Sequence, residues 1–235
     1  MEKNKTLISS VIVALGIAIL GYFINDGLSM IASRGRMVTV KGLSEMVIPA
    51  DKVTWPIVSK EVGDNLPQLY ERINAKTQTI KDFLKQGGLK DDEIHINAPE
   101  VIDLNAERYS GNDKNYRYNI TSIITVTSKN VNLVRSIIAR QGELLKKGVA
   151  IINGGYENPI TYEYTAFKDE KSKMMAEAIE NAEKTARQFA ENSRSELNKI
   201  ENASQGQFSI ENKDETTPYI KKVRVVTTIT YSLKD

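Results

Sequence analysis

DEKSKMMAEAIENAEKTARQFAEN, the stretch from Asp169 to Asn192, decides how the rest of the chain can fold. At helical period, Met175, Ala178, Ile179, Ala182, Ala186, Phe189 and Ala190 share one stripe, and Lys171, Lys173, Glu177, Glu180, Glu183, Lys184 and Arg187 lie mostly opposite. Asp169 is placed to cap the N-terminus of this helix. Alanine at 178, 182, 186 and 190 makes the inner stripe shallow, which predicts a helix lying close against a sheet. The stretch is a packing element and carries no visible chemistry.

Strand patterns flank it. Ile160, Tyr162, Tyr164 and Ala166 alternate just before the helix, and Leu197–Ile200 and Gln207–Ile210 read as short strands after it. Glu211–Thr217 is a polar loop, and Val223, Val225, Thr227, Ile229 and Tyr231 make a long closing strand. Nearer the N-terminus, alternation starts at Met37 with Val38 and Val40 and ends at Gly42. Pro49 and Asp51 precede a strand over Val53–Val62, in which Pro56 predicts an edge or a bulge. Asp64 is read as the cap of a first helix whose inner stripe is Leu69, Ile73, Ile80, Phe83 and Leu84, stopped by Gly87-Gly88. Ile94, Ile96 and Ala98 form a third strand ending near Pro99, and Glu107–Asn115 a turn-rich loop. Tyr116, Tyr118, Ile120, Ile124 and Val126 form a fourth strand. Val131–Leu145 fits a second helix through Val134, Ile137, Ile138 and Leu145. VAIIN and the turn signal Asn153-Gly154-Gly155 follow. The order is ββαββαβαββ: an α+β fold with three helices on a mixed or mainly antiparallel sheet or sheets, its middle ordered like a split βαβ motif.

Leu7–Ile24 contains no charge, and Lys3 and Lys5 precede it. Eighteen helical residues reach about 27 Å, close to the roughly 30 Å of a bilayer's hydrocarbon core. A cleaved signal peptide and a retained anchor both fit such a run. The length, and Met30 standing at −3 to the small residue Ala32, favour retention. The expected organisation is an anchor over residues 1–25, a juxtamembrane linker over 26–36, and one α/β domain over 37–235, with the membrane as partner through Leu7–Ile24.

A net charge of +2 supplies no basic footprint for nucleic acid, so no nucleic-acid partner is expected. Without cysteine there are no disulfides, thiolate nucleophiles or cysteine metal sites. His95 is the single histidine, flanked by Ile94 and Ile96 without a partner motif, and reads as structural. No serine elbow or phosphate-binding glycine loop occurs, so neither an enzyme nor a cofactor is expected. The one candidate face is aromatic: Tyr116, Tyr118, Tyr162 and Tyr164, with Tyr109 and Tyr156, could line a groove or an oligomer interface. The plainer reading is the ordinary preference of β-strands for aromatics. Met174 and Met175 could absorb oxidants, although the helical pattern makes Met175 a core residue.

Several segments, in order, resemble the SIMPL-domain family of bacterial envelope proteins. They are V-x-V-x-G at Val38–Gly42, Pro49-Ala50-Asp51, LKQGGLKDDEIHI, YRYNITSIITVTS, GVAIINGGYEN, SKMMAEAIENAEKTARQFAE and VRVVTTITYSL. The resemblance covers roughly Val38 to Leu233. Where the family usually carries glycines after its long helix, this chain has Asn192-Ser193-Arg194-Ser195. The family offers no catalytic residues to transfer. The resemblance implies an envelope protein, periplasmic or anchored in the inner membrane, associated with oxidative or envelope stress and able to form homo-oligomers. The expected activity is therefore assembly or partner binding; the alternative is small-ligand binding on the tyrosine face.

Overall fold

The computed structural model describes residues 13–25, 27–28, 36–106, 116–152 and 157–234. Residues 13–25 and 27–28 are helical and are the described part of helix α1. Among the described residues no helix is long and apolar enough to cross a membrane. Residues 1–12 of the expected anchor lie outside them, as do most of the expected linker, the loop 107–115 and the turn 153–156, with Tyr109 and Tyr156. Then follow β1 (Met37–Pro49), β2 (Lys52–Gly63), α2 (Leu66–Gln86), β3 (Ile94–Ile96), β4 (Glu100–Asp103), β5 (Tyr118–Ser128), α3 (Val131–Ala139), α4 (Gly142–Lys146), β6 (Thr161–Glu163), α5 (Phe167–Asn192), β7 (Glu196–Gln205), β8 (Ser209–Asn212) and β9 (Ile220–Lys234).

The elements form an α+β fold with antiparallel sheets, in two compact units. One holds Met1–Glu45, Lys171–Ser209 and Arg224–Asp235; the other holds Met46–Glu170 and Ile210–Val223. In the second unit the sheet order is β3-β5-β2-β6, with β4 also on β5, and every paired strand is antiparallel. That is the arrangement a split βαβ motif produces. The inward faces of β2 and β5 carry Val53, Trp55, Ile57, Ile124 and Val126, which close on Ile80, Phe83 and Leu84 of α2 and on Val134 and Ile137 of α3. A second cluster joins Leu69, Ile73 and Ile120. Pro56 is tolerated in β2 because the β6 ladder ends at Thr54, and the next contact on that side is the bridge Val58–Ile152.

In the first unit β9 lies between β1 and β7. Val38 and Val40 of β1 and Ile229 and Tyr231 of β9 pack with Ala182 and Ala186. A Cβ on Gly42 would stand 1.8 Å from the Ala178 carbonyl oxygen and 2.6 Å from the Ala182 nitrogen, so helix backbone touches strand backbone there. Ser44 donates to Glu177 at 2.8 Å, and the Asn181 amide donates to the Leu43 carbonyl at 2.8 Å, fixing the crossing.

Several expectations are corrected. The expected second helix is two, α3 and α4, giving four α-helices after α1 among the described residues rather than three. Continuing α3 would carry the polar Gln141 onto the stripe of Val134 and Ile137; a turn at Arg140–Gln141 lets Leu144 enter the core instead. Among the described residues β4 is an additional strand just beyond Pro99, and the two short strands read after α5 are β7, longer than expected, and β8, so the order ββαββαβαββ is one strand short before the closing β9. VAIIN supplies only the single bridge at Ile152. The cap of α2 is Asn65, whose side chain accepts from the Gln68 amide. Asp64 instead accepts the Arg117 amide at 2.9 Å. α5 begins at Phe167, so Asp169 sits in its first turn. Met174, not Met175, joins the buried alanines, and Ile179 and Phe189 are exposed.

Candidate functional site

Tyr116, Tyr118, Tyr162 and Tyr164, the four described tyrosines of the expected face, are not brought together. Tyr162 pairs with Val53 and Tyr118 with Gly63, ten residues away along β2, or about 33 Å of strand. At the far end, the Arg117 guanidinium lies 4.8 Å from the Tyr118 ring centroid and is held by Asp103 at 3.0 Å. Hydrogen bonding to Arg117 lowers the Asp103 pKa and raises that of the guanidinium. This is a closed ion pair beside half-buried Tyr118, with Tyr116 exposed nearby in the chain.

The near end is different. Tyr162 meets Tyr219 edge-on, with centroids 6.1 Å apart, and both pack against the main core cluster. The Arg135 guanidinium of α3 covers the Tyr219 ring at 3.4 Å. Burial pushes the Tyr162 hydroxyl's pKa up, opposed by the charge of Arg135. Among the described residues no carboxylate pairs with Arg135, and neither phenol hydroxyl has a hydrogen-bond partner. Tyr164 points its hydroxyl at its own strand exit, 3.5 Å from the Ala166 carbonyl. Neither Arg135 nor Tyr219 stands out in the sequence, where the one signal is a lone cation within VNLVRSIIA.

Asp51 has a structural task reaching across 114 residues. One carboxylate oxygen accepts the Thr165 amide at 2.7 Å and its hydroxyl at 3.0 Å, and the other accepts the Ala166 amide at 2.7 Å. Burial raises its pKa, but these hydrogen bonds outweigh it and hold the carboxyl below its ordinary value. Lys221 is buried, donates to Asn212 at 2.5 Å, and has its pKa lowered by burial against the opposing field of Glu163. His95 is exposed opposite Thr125. Among the described residues no group of three or more His, Cys, Asp or Glu could hold a metal ion.

Residues 38–231 match the model of the SIMPL family, described as a protein of unknown function (DUF541). The chain belongs to the SIMPL family. A search of curated proteins finds no match to it. In this SIMPL chain the family-like segments have structural work: Gly42 admits α5 to β1, and Asp51 holds the backbone entering α5. After α5, Arg194 takes φ +57°, its amide donating to the Glu191 carbonyl and that of Ser195 to the Ala190 carbonyl. This SIMPL member thus closes its long helix with an arginine in the left-handed position that favours glycine.

Proposed function

We propose that this SIMPL protein is a non-enzymatic envelope protein, anchored in the inner membrane through Leu7–Ile24, that acts by self-assembly or partner binding in envelope or oxidative stress. The folded part lies across the membrane from Lys3. The uncharged N-terminal run supports the anchor, and the resemblance stated above supports compartment and stress role.

The observation that carries assembly is β7. It is an edge strand, and residues 199–207 are exposed on both faces. Register shifts disturb its first half, but Asn202 to Gln205 pair regularly with Thr230 to Thr227. The Gly206 amide donates to the Val226 carbonyl of β9, so strand alternation turns the backbone polar groups of Ala203 and Gln205 outward. Such a row accepts a further strand. Native mass measurement of membrane-extracted full-chain protein should show a defined homo-oligomer or a complex with a bound protein. Ala203→Pro removes one outward donor and leaves the β9 ladder intact. It should lower the stoichiometry with little change in melting. A monomeric, unpartnered wild type defeats the proposal.

A further inference from the structure

Arg135 stands one turn before Ile138 on α3, an i,i+3 spacing that brings their Cβ atoms within about 5–6 Å. Ile138 lines a groove of about 540 Å³ together with Ala139, Gln141, Gly142, Leu145 and Ile151. That volume lies within the roughly 300–1,000 Å³ of small-molecule sites. Its lining side chains are apolar apart from Gln141, polar atoms form a substantial minority of the wall, and Leu145 is 64% exposed. Both features lie along one side of β2. Tyr162 pairs with Val53, whereas Ile152, next to Ile151, bridges Val58. Those β2 positions are five residues, or roughly 17 Å, apart. α3 leaves β5 just after Ser128, the partner of Val53, so its first turns belong to the tyrosine end.

One end of this path therefore offers a guanidinium fork and two phenol hydroxyls, and the other an open apolar trough. Arg135 is the charged group whose field reaches the Tyr162 hydroxyl. A single planar fork matches one carboxylate in bidentate fashion, whereas a phosphate would call for more positive charge than is present. We propose that this is a binding site for a medium-chain fatty acid. Its carboxylate sits on Arg135, flanked by Tyr162 and Tyr219, and its alkyl chain runs through the groove past Ile138 to Leu145 and Ile151. The site is independent of the β7 edge.

The test uses full-chain protein in zwitterionic nanodiscs titrated with carboxyl-13C dodecanoate, with identical nanodiscs carrying each variant to subtract the bilayer background. Wild type should show saturable binding of one equivalent. Arg135→Gln should weaken it at least about tenfold, the expected loss for a charge-assisted bidentate contact. Leu145→Glu, at an exposed position where folding is not at stake, should weaken it comparably, because the apolar chain would have to desolvate a carboxylate. Uncharged dodecanol should bind less well than dodecanoate. Failure of wild type to bind, or affinity unchanged by both substitutions, overturns the proposal. So does binding to nanodiscs of anionic phospholipid without any for dodecanoate, which would make the surface a lipid-docking patch.

Discussion

Arg194 occupies a left-handed position that costs a side-chain-bearing residue about 1–2 kcal/mol, and its side chain is exposed. Arg194→Gly should therefore stabilise the protein by about 1 kcal/mol, a gain that chemical denaturation resolves. The same position shows why the sequence was only partly legible. The departure from glycine was visible, but an arginine closing a Schellman turn cannot be recognised without backbone angles. Asp51 poses a related problem, since its partners Thr165 and Ala166 lie 114 and 115 residues away. Asp169, beside the helix, was the natural but wrong choice. Asp51→Ala should cost about 1 kcal/mol at neutral pH, because the Thr165 and Ala166 amides ahead of α5 lose their carboxylate acceptor. Because the folded carboxyl has a lowered pKa, its contribution is complete above the unfolded value near 3.9 and is lost as pH falls through the folded value. The stability gap between wild type and Asp51→Ala should hold steady above about pH 5 and close below about pH 4. A gap independent of pH would show that the charge is immaterial.

Helical period exposed the inner faces of α2 and α5, since all five residues assigned to the α2 stripe are buried and alanine every fourth residue lines α5. It overstated the width of the second face. At Gly42 the helix backbone approaches β1 so closely that only the line Met174, Ala178, Ala182, Ala186 and Ala190 is covered, leaving Ile179 and Phe189 to either side. Ala182→Leu should cost about 1–3 kcal/mol by overpacking this contact. Glu183→Leu loses an exposed ion pair with Arg187 and should stay within about 0.5 kcal/mol. Equal denaturation midpoints for the two variants would mean that α5 is not a close-packed element. The candidate site was half legible: strand alternation found Tyr162, but Tyr219 follows a polar loop and Arg135 sits in an apolar helix. Only the fold brings those two within 3.4 Å.

At the scale of the whole molecule, the uncharged Leu7–Ile24 run should remain in the mature protein, so intact mass should include it. A mature chain starting between residues 25 and 37 would mark it as a removed signal peptide. The chain passes between its two compact units after residues 45, 170, 209 and 223, and neither unit is a continuous stretch of sequence. Thr39 of β1 meets Thr230 of β9 across 191 residues, oxygen to oxygen at 2.9 Å. β1 thus emerges early and waits for a partner that is synthesised much later, its Val38 and Val40 without the cover they finally receive. Closing so long a loop is slow, and an unpaired apolar strand invites aggregation in the interval. A chain delivered in order, end first, has every reason to travel with a chaperone until its last strand arrives.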